Sequence, residues 1–153
     1  MKKTFNKIAV ALSAALMIST VAVADDAKYG VGVSVSGNAA TIRGTINVDD
    51  DMRFEPFFGF SYVDTDFGSS TGLSIGTGFH WLKPINSNIT AYYGGYVGYF
   101  DNTTSVFALG PVAGVEYAFD PQFTLGAEVS FDLAFGDVSQ FGTNSEVILR
   151  YYF

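Results

Sequence analysis

Residues 144–153 read N-S-E-V-I-L-R-Y-Y-F, and the alternation in this stretch indicates the fold class. One set of alternate positions is Val147, Leu149, Tyr151 and Phe153. The opposite set contains both charged residues, Glu146 and Arg150. Because successive side chains of a strand point to opposite faces, this spacing predicts a β-strand. One face of that strand is apolar and ends in two aromatic rings.

The same alternation recurs along the preceding sequence, in segments separated by polar or turn-forming residues. The predicted strands cover approximately residues 29–36, 41–48, 52–63, 72–82, 89–100, 106–119, 123–135 and 144–153. Most are long enough for the ~9–11 residues that a tilted membrane-spanning strand needs. An even number of strands places both ends of the barrel chain on one side, together with turns at Asp49, Lys83 and Asp120. The breaks near Asn38, Phe67, Asn102 and Gln140 are predicted as short loops at the other end.

The two faces of these segments differ in side-chain size. The apolar positions are rich in bulky aromatic residues, whereas the opposite positions are rich in Gly, Ser, Ala and Thr. Eight strands enclose a narrow lumen, so the small side chains are expected inside and the bulky ones outside. Aromatic residues also cluster at the segment ends, as in the interfacial belts of membrane barrels. The predicted fold class is all-β: an eight-stranded antiparallel up-and-down transmembrane β-barrel. A soluble, lipocalin-like barrel with an apolar interior is the alternative.

Two features interrupt the regular alternation: the mixed composition of the fifth strand, and two prolines that fall inside strands. Tyrosine and glycine occupy both sets of positions in residues 89–100, so the outward face of the fifth strand is not determined. Pro56 and Pro111 fall inside strands of a barrel that has no free edge. Since each proline removes a ladder donor, we expect a β-bulge at each.

The first 24 residues have the organisation of a secretory signal peptide. Lys2, Lys3 and Lys7 precede an apolar run, and small residues end at Ala24. The run is shorter than the ~20 residues of a spanning helix, which makes a membrane anchor the weaker alternative. The predicted domains are therefore a cleaved signal peptide, residues 1–24, and a barrel domain, residues 25–153. This predicts export to the bacterial outer membrane.

Charge and cysteine content exclude several classes of site. All 15 acidic residues but only five of the eight basic residues follow Ala24, so the predicted barrel domain is strongly acidic. A nucleic-acid partner is not expected, because phosphate binding needs a basic surface. The chain contains no cysteine, which excludes disulfides and thiolate metal sites. No cofactor, metal ligand set or catalytic residue is predicted.

Several ionisable residues lie on the faces predicted to point inward. They are Arg43, Glu55, His80, Glu116, Glu128, Asp132, Glu146 and Arg150. An unpaired ion inside a narrow lumen is costly, so we expect these groups to form a packed polar network. Arg150 is expected at the height of Asp132 or Glu128 on the neighbouring strand. The alternative is a narrow ion path in which the same groups change partners.

The stretch from Gly110 to Val129, G-P-V-A-G-V-E-Y-A-F-D-P-Q-F-T-L-G-A-E-V, resembles strands six and seven of small outer-membrane barrels of the opacity-protein and OmpX/OmpA-like group. The final R-Y-Y-F resembles their C-terminal assembly signal, which would comprise Tyr151 and Phe153. The resemblance implies a monomer in contact with outer-membrane lipid and lipopolysaccharide, and recognition of the last strand by the assembly machinery.

The function implied is a structural or surface-interaction role, with a porin-like narrow channel as the alternative. Acidic loop residues are expected to share divalent cations with lipopolysaccharide; they are Asp64, Asp66, Asp101 and Asp137. Some eight-stranded barrels are lipid A-modifying enzymes, whose chemistry uses a histidine beside a serine. The single histidine, His80, lies in F-H-W-L-K without a serine two residues on. Catalysis is therefore not expected.

Overall fold

The computed structural model describes residues 29–37, 39–65, 68–102, 104–137 and 139–153; for 62–65 and 68–70 only the backbone is described. The predicted signal peptide, residues 1–24, lies outside these residues. The described residues form eight strands: β1 (Tyr29–Ser36), β2 (Ala39–Asp49), β3 (Met52–Thr65), β4 (Gly68–Pro84), β5 (Ile89–Asp101), β6 (Ser105–Ala118), β7 (Phe123–Gly136) and β8 (Gln140–Tyr152). This part of the chain contains no helix with the length and hydropathy needed to span a bilayer.

Each strand pairs antiparallel with the next, and β1 pairs with β8 to close the barrel. The closing register places Gly32 opposite Arg150 and Val35 opposite Val147. Closure satisfies the edge groups that an open sheet would leave unpaired. The predicted fold class is confirmed. Most strands are longer than predicted, β4 by several residues at its start, because the polar Ser and Thr residues there still pair with β3.

The two ends of the barrel differ in their connections. The terminal end, as we call it, holds both ends of the described barrel chain and the tight β2–β3, β4–β5 and β6–β7 turns. Asp120 makes the last of these turns, since its Oδ1 accepts hydrogen bonds from the backbone N–H groups of Gln122 and Phe123 at 2.8 and 2.9 Å. The opposite, loop end holds the β1–β2, β3–β4, β5–β6 and β7–β8 connections. The predicted breaks at Asn38 and Phe67 lie outside the described residues.

The described part of the outer wall is mainly apolar, although β8 exposes Thr143 and Ser145 in its loop-end half. Val129, near the middle of β7, is 52 % exposed, and Phe58 on β3 is 49 % exposed. Exposed aromatic residues form contacts near the terminal end, including Trp81 stacked on Tyr93 with ring centroids 5.9 Å apart. Near the loop end, Phe107 packs against the Tyr99 ring. An apolar surface of this extent is unfavourable in water and favourable in hydrocarbon.

The inner wall carries small and polar side chains. On β5, Tyr92, Gly98 and the half-buried Tyr96 point inward, whereas Tyr93 and Val97 point outward. This resolves the orientation that the sequence left open. A small apolar cluster of Val106, Ala108 and Ala134 lines the lumen toward the loop end. The remaining buried core is mainly polar, but it also contains large side chains such as Arg53, Arg150 and Tyr92, so the prediction of small inward residues holds only in part.

The two prolines do not produce the predicted bulges. Pro56 pairs with Thr77 on β4, and Pro111 pairs with Gly95 on β5, in each case without a change of register. The register is also unchanged on their other sides, although a few pairs are missing there. The irregularity that does occur in β2 lies between Asn47 and Asp49.

A glycine accommodates Pro56 in place of an inserted residue. A Cβ at Gly44 would lie 3.3 Å from Cγ of Pro56, so the missing side chain leaves room for the proline ring. A proline loses one ladder bond, on one side only. The ladder is therefore interrupted locally while its register is kept, and the bulge prediction is wrong.

Candidate functional site in the barrel lumen

Glu55 on β3 lies at the centre of the lumen and is completely buried. Its carboxylate accepts hydrogen bonds from Arg150 Nε at 2.7 Å and from Arg150 Nη2 at 3.0 Å. Thr45 Oγ1 donates a third at 3.2 Å, and Arg43 Nη1 a fourth at 3.4 Å. The two bonds from Arg150 form a bidentate pair, the strong geometry for a guanidinium and a carboxylate. Glu55 therefore joins three strands through one side chain.

Arg150 extends the network to Glu116 and Arg53. Its Nη1 donates to Glu116 Oε2 at 3.1 Å. The same carboxylate accepts two bonds from Arg53, at 3.0 Å to Oε2 and 2.5 Å to Oε1. Arg53 Nη1 also lies 3.7 Å from Glu55 Oε1. Buried charges of both signs thus alternate across the lumen, which offsets the cost of removing each from water.

Arg43 forms the loop-side part of the network. Its Nη2 forms an ion pair with Glu146 and lies 3.7 Å from Glu128 Oε1, while its Nε donates to Ser34 Oγ at 3.3 Å. Glu128 and Glu146 are directly opposite each other in the β7–β8 register. Like charges at opposed positions repel, so the Arg43 guanidinium offsets their repulsion.

His80 on β4 is buried between two carboxylates. Its Nδ1 lies 3.5 Å from Glu55 Oε2, and its Nε2 lies 3.9 Å from Glu128 Oε2. Neither contact is a hydrogen bond. His80 Nδ1 and Glu128 Oε2 both lack a hydrogen-bond partner among the described residues. The imidazole ring packs against Tyr92, with ring centroids 5.1 Å apart.

Two tyrosines cover the arginines on the terminal side. The Arg53 guanidinium lies 5.7 Å from the Tyr92 ring and 5.9 Å from the Tyr152 ring. Arg150 lies 5.5 Å from the same Tyr92 ring. These are cation–π distances, and such contacts strengthen where water is excluded. Together with the ion pairs, the rings fill the cross-section of the lumen.

A cavity of about 280 Å³ lies on the loop side of the network. Its floor is formed by Arg43, His80, Glu128 and Glu146, and its walls include Phe57, Tyr96, Phe100 and Asp132. Its rim includes Ser36, Ser61, Asn102 and Asn144. Among the described residues, the lumen is therefore packed toward the terminal end and holds this cavity toward the loop end.

Seven of the eight lumen residues singled out from the sequence come together in this cluster: Arg43, Glu55, His80, Glu116, Glu128, Glu146 and Arg150. Asp132 does not join the ion pairs; its Oδ1 accepts a hydrogen bond from Ser130 Oγ at 2.6 Å on the cavity wall. The expected proximity of Arg150 to Asp132 or Glu128 is wrong, because Arg150 lies opposite Thr124. Its partners are on distant strands and are reached across the lumen.

Four further residues belong to the cluster and were not among those predicted for it: Thr45, Arg53, Tyr92 and Tyr152. Arg53 precedes Glu55 by two residues and so shares its inward face. That spacing is a signal from which it could have been found. Tyr152 carries the same signal, since it follows Arg150 by two residues, whereas Tyr92 had none, because tyrosines occupy both faces of β5.

The two aromatic residues of the predicted assembly signal lie on β8 and just beyond it. The Tyr151 ring packs against Phe123, with centroids 4.8 Å apart, and against Phe153 at 6.3 Å. The Phe153 N–H donates to the Tyr29 carbonyl at 3.0 Å. The pair is thus fixed on the terminal edge beside the β1–β8 seam. Its recognition during assembly stays a prediction.

The described residues present no group of three or more His, Asp or Glu side chains arranged to hold a metal ion. Of the acidic loop residues, Asp101 and Asp137 both contact Ser105, through its hydroxyl at 2.9 Å and its backbone N–H at 3.0 Å. Asp66 and the Asp64 side chain lie outside the described structure. His80 contacts carboxylates and a tyrosine ring, without a serine among its described contacts.

Comparison with solved structures identifies the architecture. Neisserial surface protein A matches with a TM-score of 0.61 and 16 % identity, over 82 % of this chain and 93 % of that one. The chain has the fold of a transmembrane β-barrel. The Yersinia pestis outer membrane protein Ail in a phospholipid nanodisc matches with a TM-score of 0.50 and 14 % identity, over 82 % and 97 %. No protein-family model and no curated protein sequence matches this chain.

The likeness to small eight-stranded outer-membrane barrels, which the sequence indicated, is confirmed for the fold. Identities of 16 % and 14 % support a shared fold and nothing further.

Proposed function

We propose that this protein is an integral outer-membrane barrel with a structural or surface-interaction role and a closed, polar lumen. The observation that carries the proposal is the distribution of its side chains. Apolar residues such as Val129 and Phe58 cover the outer wall, whereas ionised residues such as Glu55 and Arg150 are completely buried inside. This is the reverse of a soluble barrel and suits a hydrocarbon solvent.

The aromatic belts support the same placement. Trp81 and Tyr93 stack near the terminal end, and Phe107 packs against Tyr99 near the loop end. Amphipathic rings at two levels suit the two lipid–water interfaces of one bilayer. We infer a monomer whose outer wall contacts membrane lipid, with lipopolysaccharide around the loop end. We further infer export by residues 1–24 and recognition of Tyr151 and Phe153 by the assembly machinery.

The lumen supports a structural role over transport. The Glu55, Arg150, Glu116 and Arg53 side chains interlock across it, and Tyr92 and Tyr152 cover them. Opening a path for ions would require several buried ion pairs to separate together, at a cost of several kcal/mol. The four loops would then be the part exposed to the cell exterior.

Cell fractionation combined with gel mobility tests this proposal. The protein should be recovered with outer membranes, and the unheated sample should migrate differently from the boiled one, because a closed barrel resists detergent until heated. Recovery in the soluble periplasmic fraction with one mobility would reject it. A Glu55→Gln variant that reaches the membrane but loses heat-modifiable mobility would separate targeting from barrel closure.

A narrow channel is the second candidate, and the loop-side cavity is the observation that favours it. The cavity reaches down to Arg43 and His80, so the part of the lumen on its loop side is not filled by the described side chains. Single-channel recordings in planar bilayers decide between the two. Discrete conductance steps from the wild-type protein would support the channel, and a silent bilayer would support the closed lumen.

A lipid A-modifying activity has less support. His80 is 1 % exposed and points into the lumen, away from the lipid that such an enzyme must reach. Mass spectra of lipid A from cells with and without the protein test this. Identical spectra are expected.

A further inference from the structure

A shallow groove crosses the outer wall over β4, β5 and β6. Its floor lies at Gly95, which pairs with Phe79 on β4 and Pro111 on β6 and has no side chain to fill the space between them. Apart from its chain neighbours, the one described atom within 4 Å of a Cβ at Gly95 would be the Gly110 carbonyl oxygen, at 3.4 Å. The groove is therefore a gap between side chains and not a crowded backbone contact. Its sides are apolar residues that are each 47 or 48 % exposed: Phe79, Trp81, Val97 and Leu109.

The groove extends toward the terminal end of the barrel. Its β4 residues run from Thr77 to Trp81, about 13 Å along a strand that rises ~3.3 Å per residue. Trp81 stacks on Tyr93 in the aromatic belt near that end. An apolar groove that ends at an aromatic belt suits an extended hydrocarbon chain whose polar end lies at the lipid–water interface.

Lys83 lies just beyond this end of the groove. It follows Phe79 and Trp81 at alternate positions of β4, so it shares their outward face, and it is exposed. The arginines that the structure describes are all buried in the lumen: Arg43, Arg53 and Arg150. Lys83 is thus the one exposed cation among the described residues, and it is in line with the groove.

An acidic turn lies beside Lys83. The Leu82 N–H donates to the Asp51 carbonyl at 2.8 Å, which places the β2–β3 turn next to this end of β4. Asp49, Asp50 and Asp51 are all exposed there. A phosphate suits the Lys83 ammonium group, and a primary ammonium group suits the carboxylates. A headgroup with net negative charge would be repelled by the turn.

We propose that this surface binds one phospholipid whose headgroup carries both a phosphate and a primary ammonium group. An acyl chain lies in the groove over Gly95, the phosphate contacts Lys83, and the ammonium group contacts the acidic turn. The lipid belongs to the leaflet at the terminal end. This inference rests on the lipid contact of the outer wall proposed above and adds a specific lipid to it.

Trp81, the single tryptophan, lies at the edge of the groove, so its fluorescence reports which lipid occupies it. The folded barrel is placed in phosphatidylcholine vesicles that contain an equal fraction of one lipid brominated near its headgroup: phosphatidylethanolamine, phosphatidylglycerol or phosphatidylcholine. Phosphatidylethanolamine should quench most, with a binding constant about fivefold above that of phosphatidylcholine, whose trimethylated ammonium group has no N–H to donate. Phosphatidylglycerol, which adds net negative charge beside the turn, should show no such advantage.

Variants separate the headgroup contact from the groove. Lys83→Gln should weaken the binding of phosphatidylethanolamine about fivefold, the effect of one lysine near a membrane surface, and Lys83→Arg should keep it. Gly95→Leu should remove the advantage of phosphatidylethanolamine, because the added side chain fills the groove. Ala127→Leu is the matched control on the outward face of β7 and should bind as the wild type does. Heat-modifiable gel mobility shows which variants have folded.

Equal quenching by the three brominated lipids in the folded wild type would overturn this inference and leave the placement of the barrel in lipid intact. A folded Gly95→Leu or Lys83→Gln variant with the full advantage of phosphatidylethanolamine would overturn it as well. Absence of quenching by every brominated lipid would instead reject contact between the outer wall and lipid, on which both proposals depend.

Discussion

Arg150 on β8 forms a bidentate hydrogen-bonded ion pair with Glu55 on β3, although β1 and β2 separate these strands around the wall. Both residues are completely buried. The pair crosses the lumen and ties together walls that share no backbone ladder. Its removal is therefore expected to affect the whole barrel, and several consequences can be measured.

Replacing Glu55 with glutamine should strongly destabilise the barrel. The amide keeps the shape of the side chain but leaves Arg150 and Arg43 without their shared anion. Breaking one side of a buried ion pair typically costs about 3–5 kcal/mol. Urea unfolding of the protein refolded in phospholipid vesicles measures the change. Asp50→Asn removes the same charge from an exposed turn and should unfold as the wild type does; equal stability of Glu55→Gln would contradict the role assigned to this pair.

Gly94→Ala should destabilise the barrel through backbone crowding. A Cβ at Gly94 would overlap the Phe79 carbonyl on β4, and backbone on both strands would have to move. Overpacking of this kind costs about 1–3 kcal/mol. Gly142→Ala on β8 is the matched control, because nothing lies within 4 Å of its Cβ position. Indistinguishable unfolding curves for the two variants would show that β4 and β5 are less closely packed than described.

Val129→Arg should hinder insertion of the barrel into lipid. Val129 is outward-facing near the middle of β7, where an arginine in a bilayer costs about 2–4 kcal/mol. Gln122→Arg places the same side chain in the β6–β7 turn at the terminal end and should be nearly neutral. The fraction folded in vesicles, read from heat-modifiable gel mobility, compares them. If Val129→Arg folds as well as Gln122→Arg, the outer wall does not face hydrocarbon.

The wild-type protein should show no discrete conductance steps in planar bilayers. Arg53, Arg150 and their partners occupy the lumen on the terminal side of the cavity, so ions could pass only if these ion pairs separated. Reproducible steps from protein shown to be folded by its gel mobility would contradict a closed lumen. They would instead favour the channel alternative.

The strand pattern was predictable because it depends on local alternation. Residues such as Val147, Leu149 and Tyr151 repeat at every second position, and the size difference between the two faces sets which one points inward. Arg43 and Glu55 could be assigned to the lumen for the same reason. On β5 the alternation left the inward face open, because Tyr92 and Tyr93 are identical in type and only the folded structure shows which of them is buried.

The partners inside the lumen were not predictable from the same pattern. Alternation gives the face of each residue but not its height, so Arg150 could not be matched with Glu55 from the sequence. The height depends on the accumulated stagger of all eight strands. The Pro56 prediction failed for a different reason: Gly44 on the adjacent strand makes room for the ring, a relationship that appears only once the strands are paired.

The central claim is that the apolar outer wall faces lipid while the polar residues fill the lumen. Its most direct test uses Trp81, the single tryptophan, which is 48 % exposed on the outer wall beside Tyr93. In vesicles, lipids with brominated acyl chains should quench its fluorescence strongly, and bromine atoms near the headgroups should quench it more than bromine atoms near the bilayer centre. Iodide in the aqueous phase should quench it weakly. Strong quenching by iodide with no effect of brominated lipid would show that this wall faces water.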